Sequence, residues 1–252
     1  MSPNRLRRMW WSVWLLSLPV LVPGACAGAG RPNILLIVTD DQRADTIHAL
    51  GNERIETPNL DRLFGKGTVF TRAYAAYPIC HVSRAEILTG CSAFRALPKY
   101  PAGPIDPALR TFAQAFREGG YRTWYAGKWH NDGLPRQRGY EATRGLFTSG
   151  GAAGRSQPET DGRGHPLTGY RGWTFKTDEG KVEIEKGIGL TPRSSEYIAD
   201  AAIEFVSASK KEEPFFLHVN FTAPHDPRLW PAGQEHRYDP ARIPLPRNFA
   251  AQ

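Results

Sequence analysis

The run NILLIVT at residues 33–39 is continuously apolar and rich in β-branched residues, with no polar alternation. A strand of that kind must be covered on both faces, which is the situation of a parallel sheet sandwiched between helices. Three more stretches read as strands: TVFTRAYA (68–75), YRTWYAGK (121–128) and PFFLHVNFTA (214–223). Helical signals fall between them. Thr57 stands as an N-cap before Pro58, with Gly65 or Gly67 as the stop. SRAEILTG reads as a short helix, with Cys80 a few residues ahead of it. ALRTFAQAFREGG places Leu109, Phe112, Ala113 and Phe116 on one face and ends in two glycines. SSEYIADAAIEFVSAS (194–209) is strongly amphipathic. Residues 131–190 are rich in Gly, Arg and Thr and predict a long, partly irregular insertion. The tail from about residue 231 is Pro-rich and polar. Strands alternating with helices predict an α/β fold: a mostly parallel sheet with helices on both faces.

The first 27 residues stand apart. Arg5, Arg7 and Arg8 precede the apolar MWWSVWLLSLPVLVPG, and an Ala-x-Ala pattern ends at Ala27. This is a secretory signal pattern, too short and wrongly flanked for a spanning helix. It predicts a secreted or periplasmic protein that is not integral to a membrane. A lipid anchor through Cys26 fits Pro23 and Gly24 poorly. Removing the segment takes away three arginines and no acid, so the net charge falls from +7 to +4. That balance suits an anionic substrate, and no basic run follows that would argue for nucleic acid. Cys80 and Cys91 remain. An exported chain with two cysteines suggests a bridge, but one cysteine at a helix start and one past its end rarely come within bridging range.

Ligands of such sheets bind outside the carboxyl ends of the strands, and reactive residue types gather there. Asp40 and Asp41 follow the first strand; as hard oxygen donors they fit a Ca²⁺ or Mg²⁺ site, while an isolated Asp-Asp pair reads more readily as a solvated turn with an N-cap. Lys128 and His130, two apart at a strand end, project the same way and can hold an anionic oxygen and move a proton. His225 sits between prolines, placed to meet substrate or to brace its loop. Cys80 near a helix N-terminus meets free N–H groups that favour an anion and depress a thiol pKa; it reads otherwise as a buried structural cysteine. Arg84 lies one turn on. Tyr170, Trp173 and Trp230 offer rings for stacking on sugars or for packing. His218 reads as a hydrogen-bonded core residue, and His48, His81, His165 and His236 as surface ones.

Together PNILLIVTDDQ, TPNLDRL, CHVSRAEILTG, GYRTWYAGKWH and FTAPHDP resemble the type I, formylglycine-dependent sulfatases of the alkaline phosphatase superfamily, in order and spacing, from residue 31 to about 230. The resemblance implies that Cys80 is oxidised to formylglycine by a formylglycine-generating or sulfatase-maturing enzyme. One hydroxyl of the hydrated aldehyde would attack the ester sulfur, and the other would lose its proton and expel sulfate. Asp40, Asp41 and the modified Cys80 would hold one divalent metal, Ca²⁺ or alternatively Mg²⁺. Arg84 and Lys128 would hold diol and sulfate, His130 would take the proton, and His225 would contact sulfate and protonate the leaving group. The substrate would be a sulfated small molecule or sulfated glycan.

Two departures stand out. Val82 occupies the place where the family's modification signal has Pro or Ala. The family's later metal pair, its S-D-H-G-like segment and a second lysine do not occur. Residues 31–252 therefore read as the N-terminal part of a sulfatase domain, expected to lack metal ligands and to leave a strand edge bare. Alternative readings are a phospho- or phosphonate monoester hydrolase of the same superfamily and a non-catalytic binder of sulfated glycans.

Overall fold

The computed structural model describes residues 30–150 and 169–245. The chain divides at residue 32, and residues 33–252 form one compact unit. Residues 1–27, read above as a secretory signal, and His165 lie outside the described residues. Among the described residues no helix is long and apolar enough to cross a membrane.

Five strands make one sheet: β1 (Ile34–Val38), β2 (Arg122–Trp129), β3 (Ala142–Thr148), β4 (Thr174–Lys176) and β5 (Phe215–Asn220). Their spatial order is β1-β5-β2-β3-β4. β1, β5, β2 and β3 run parallel, and β4 closes the far edge antiparallel to β3. Alternation along β2 divides the core. Tyr125 and Trp129 face one side, with Val82, Leu88, Ile105 and Tyr140. Trp124 and Ala126 face the other, with Phe147, Ile198, Phe205 and Leu217. The first layer is built by α2 (Cys80–Thr89), α3 (Ala93–Ala96) and α4 (Phe112–Glu118), the second by α5 (Ser194–Ser207). Helices thus cover both faces, as the apolar strands require.

The predicted helix caps are present with some changes. α1 (Pro58–Phe64) begins after Thr57, but the Thr57 hydroxyl donates to Asp61 Oδ1 (2.8 Å) instead of capping the helix. α4 starts later than its sequence pattern because Thr111 and Gln114 form a reciprocal capping box. α2 starts earlier than expected, so Cys80 is its first residue, and Gly90 ends it in the left-handed conformation.

Three expectations need correction. Residues 68–75 form no strand; Phe70 and Tyr74 are exposed, at 79% and 86%, and no neighbouring strand pairs with the segment. The stretch 131–190 is less irregular than its composition suggests, since β3 and β4 lie in it and bury Leu146, Phe147 and Phe175. Its Gly and Thr content hides the pattern because buried threonines (Thr143, Thr148, Thr174) fill strand positions. β1 is not buried on both faces: it is an edge strand, with Leu35 and Ile37 about half exposed. Among the described residues no strand pairs with the outer side of β1.

Asp178 anchors this insertion. Its carboxylate accepts from Thr143 N (2.9 Å) and Thr143 Oγ1 (2.8 Å) at the start of β3, and pairs with Arg136 (2.5 Å). Burial alone would raise the Asp178 carboxyl, but the Arg136 guanidinium and the Thr143 hydrogen bonds outweigh it and hold it below the usual range. A depressed carboxylate stabilises the fold above its unfolded pKa, and that stability is lost as pH falls through the folded value. Asp178→Asn is expected to cost about 1–2 kcal/mol at neutral pH. Denaturant midpoints at pH 7 and at acid pH should converge for wild type and variant; a difference that does not shrink in acid would contradict this role.

Candidate active site

The carboxyl ends of β1, β2 and β5 meet the N-terminus of α2. The extended Ile79 caps α2 without a side-chain hydrogen bond and sets Cys80 at its opening turn. Asp40 follows β1 by two residues, and its N–H donates to Ala223 O (3.1 Å), which ties the loop to the end of β5. Gly127, at φ 97°, lies where β2 shifts register against β3. A Cβ there would sit 2.0 Å from Asn220 O, so only glycine lets β2 and β5 approach closely beside the site.

Asp40 is the hub. It is 4% exposed, and its carboxylate accepts hydrogen bonds from Lys128 Nζ, Tyr170 OH and, at 3.5 Å, Cys80 Sγ. Arg84 Nη2 lies 3.5 Å from the same carboxylate. Lys128 is fully buried and also donates to Tyr170 OH (2.7 Å). Arg84 Nη1 donates to Asn220 Oδ1 (2.6 Å), and Asn220 Nδ2 donates to Tyr125 OH (2.6 Å). Two buried cations around one buried carboxylate leave local positive charge to spare, which suits an anionic ligand. Asp40, Asp41, Gln42, Cys80, Ser83 and Arg84 line a hollow of about 260 Å³ beside this cluster.

The surroundings set each proton. For Asp40, burial pushes the carboxyl up, but Lys128 and Arg84 overcome that and hold it below the usual range. For Cys80, burial pushes the thiol up and prevails over the lowering effect of Lys128, with Asp40 and Asp41 adding smaller upward contributions. The expected depression by the helix N-terminus is therefore corrected: desolvation prevails. Neither cysteine is bridged. For His130, burial and then the Lys128 charge push the imidazole down to about 4. Burial and the hydrogen bond to Asp40 raise the Tyr170 hydroxyl, which stays protonated as a donor.

Cys80, Arg84 and Lys128 thus all meet Asp40. Asp41 is adjacent, but it is exposed, adopts φ 56°, and its Oδ2 lies 3.5 Å from His225 Nε2. His225 Nδ1 is 2.6 Å from Asp226 O. His130 packs edge-on against Trp173 (4.9 Å between centroids) and near His81 (5.8 Å), and its buried Nδ1 has no hydrogen-bond partner among the described residues. His81 is not a surface residue as expected: it is half-buried, with Nε2 2.6 Å from Pro101 O. Tyr170 and Trp173 are buried and cannot stack on a sugar; Trp230 is 44% exposed. His218 is a core residue, its Nδ1 2.8 Å from Tyr140 OH. Val82 is fully buried on α2, so its side chain has a packing role.

The donor chemistry fits part of a hard-cation shell. Ligand atoms of Asp40, Cys80 and His225 lie within 4.8 Å of one another, as do those of Asp41, His225 and Asp226. Asp40, Asp41 and an oxygen replacing the Cys80 sulfur would give fewer donors than the roughly six to eight that Ca²⁺ takes.

The chain is thus an α/β protein whose mostly parallel sheet gathers a thiol, a carboxylate and two cations at its strand ends. The profile described as "Sulfatase" matches residues 32–244, and the chain belongs to the sulfatase family. It is 30% identical over 234 residues to an arylsulfatase of Clostridium perfringens, covering 86% of this chain and 48% of that one. It is 30% identical over 230 residues to an N-acetylglucosamine-6-O-sulfatase of Bacteroides thetaiotaomicron, covering 89% and 37%. The solved structure of BT4656 in complex with its substrate D-glucosamine-2-N,6-O-disulfate superposes with a TM-score of 0.58 at 28% identity, covering 78% of this chain and 35% of that one. The chain spans less than half the length of these relatives.

Proposed function

We propose that this chain carries the catalytic centre of a secreted or periplasmic sulfatase that hydrolyses sulfate monoesters. The observation that carries the reading is the convergence of Cys80, Arg84 and Lys128 on buried Asp40. Formylglycine made from Cys80 by a maturing enzyme would supply, once hydrated, the hydroxyls that capture and release sulfate. Asp40 and Asp41 would hold Ca²⁺ or Mg²⁺, which supplies charge that polarises the sulfate oxygens.

The chain's own residues do the rest. Arg84, fixed by Asn220 and facing Asp40, offers the sulfate a guanidinium that needs no reorganisation. Lys128 sets a desolvated ammonium against the Asp40 carboxylate. His130 is neutral at physiological pH and can accept a proton. His225, oriented by Asp226 O, aims Nε2 at the mouth beside Asp41 and can protonate the departing alcohol. The test is hydrolysis of an aryl sulfate and an aryl phosphate after co-expression with a maturing enzyme, with the mass of the Cys80 peptide measured alongside. Turnover of sulfate with an aldehyde at Cys80 supports the proposal; a retained thiol with no turnover would sink it.

Two expectations follow. Because His130 stays unprotonated down to about pH 4, the acid limb of kcat/KM should lie near that value, well below the free-histidine value of about 6.5. A pH–rate profile with its acid limb at the free value would remove His130 as the base. The second concerns Trp230, which lines a groove of about 820 Å³ with Arg43 and Arg54, the former two residues beyond Asp41 in the sequence. This supports a sulfated sugar as substrate. Trp230→Ala should raise KM for a sulfated disaccharide by about threefold to tenfold and leave an aryl sulfate unchanged; equal effects on both would exclude sugar stacking.

A further inference from the structure

Besides His130 Nδ1, three buried polar atoms next to the site have no hydrogen-bond partner among the described residues: Arg84 Nε, Asn131 Oδ1 and His218 Nε2. Orphans of this kind are rare in folded proteins, and each costs stability unless something satisfies it. All three belong to residues lining one small hollow, with Leu88, Tyr125 and Trp129 as its walls. The hollow offers about 10 Å³ to the centre of a water-sized sphere, room for one water and no more.

We propose that a single internal water sits there and fixes the Arg84 guanidinium, which makes Asn131 and His218 positioning residues. The donor and acceptor pattern is that of one water. Arg84 Nε–H can only donate. Asn131 Nδ2 donates to His81 O (3.0 Å), so its Oδ1 faces the hollow as an acceptor. His218 pairs through Nδ1 with Tyr140 OH (2.8 Å). With Nδ1 protonated and donating, Nε2 is a second acceptor. A water accepting from Arg84 and donating to Asn131 and His218 satisfies all three at once. An anion would face two lone pairs, and a cation would face the guanidinium. Burial holds the His218 imidazole neutral, its pKa pushed down to about 3, in keeping with an acceptor at Nε2.

The water completes the hold on Arg84. Nη1 is bound by Asn220, Nη2 faces Asp40, and Nε is bound by the water, so every guanidinium nitrogen has an address. The same Asn131 bonds the carbonyl of His81, next to Cys80. The water's existence stands on geometry; its effect on anion binding rests on the function proposed above.

An atomic-resolution crystal structure of the protein tests the first part. One ordered water within hydrogen-bond distance of Arg84 Nε, Asn131 Oδ1 and His218 Nε2 is expected. A dry hollow, or one closed by a direct Arg84–Asn131 or Arg84–His218 bond, would overturn it. A double-mutant cycle read by calorimetric titration with inorganic sulfate tests the second part. Asn131→Leu should weaken sulfate binding by about tenfold in the wild-type background and by less than about twofold beside Arg84→Ala. Equal losses in both backgrounds would show that Asn131 does not act through Arg84. Failure of the wild type to bind sulfate, with the water present, would count against the proposed function and leave the water in place.

Discussion

Replacing Cys80 with serine is expected to lower sulfate-ester turnover by about 10⁴-fold or more and to leave a sulfated protein. A seryl hydroxyl at the start of α2 can still attack the ester sulfur: an O–S bond forms, the S–O bond to the alcohol breaks, and the serine proton leaves with the alcohol. Release is another matter. Expelling sulfate from the protein carbon needs a second hydroxyl on that carbon, and serine has none. The variant should complete at most one turnover and gain the mass of one SO₃ group at residue 80. Cys80→Ala should show neither turnover nor mass gain. Sustained turnover by either variant would remove Cys80 from the chemistry. The thiol itself is a poor candidate nucleophile, because burial raises its pKa despite the nearby Lys128; this favours a modified side chain over a thiolate.

Lys128→Met should unfold the protein more easily by about 3 kcal/mol and abolish sulfate hydrolysis. The lysine is fully buried and its ammonium meets the Asp40 carboxylate. Removing one member of a buried ion pair strands the other, which costs far more than the pair itself contributes. Arg84 at 3.5 Å and the Tyr170 hydroxyl keep the loss from being larger. Asp40→Asn should also destabilise, and the double variant should unfold with less loss than the two singles added together. Denaturant unfolding of all four proteins decides this. Strict additivity would mean that the two charges do not depend on each other.

Much of this centre was legible in the sequence. Apolar runs located β1, β2 and β5, and the residues just past their ends are those that converge. Asp40, Lys128 and His225 were found by position, and Cys80 with Arg84 by their place at a helix start. Motif resemblance supplied the chemistry that spacing could not. What escaped had physical reasons. Tyr170 comes from a stretch without periodicity and adopts φ 51°, which nothing in its neighbours announces. Asn220 could have been noticed as a polar residue at the carboxyl end of an apolar strand, yet its role depends on Arg84, 136 residues away. Residues 68–75 carry strand-forming residues but lack a partner, and a strand without a ladder does not form. The edge position of β1 was invisible locally, since an apolar run has the same letters in the middle of a sheet as at its border.

That border position couples the sheet to the anion site. β1 is held by one neighbour, β5, and runs with a single intervening residue into the Asp40–Asp41 pair. Among the described residues no strand pairs with the outer side of β1, and Leu35 and Ile37 on one of its faces are about half exposed. Any strand that seats there stiffens the two-acid loop as well as the sheet. Occupation of the edge and occupation of the loop are then linked equilibria, and each must strengthen the other by the same factor.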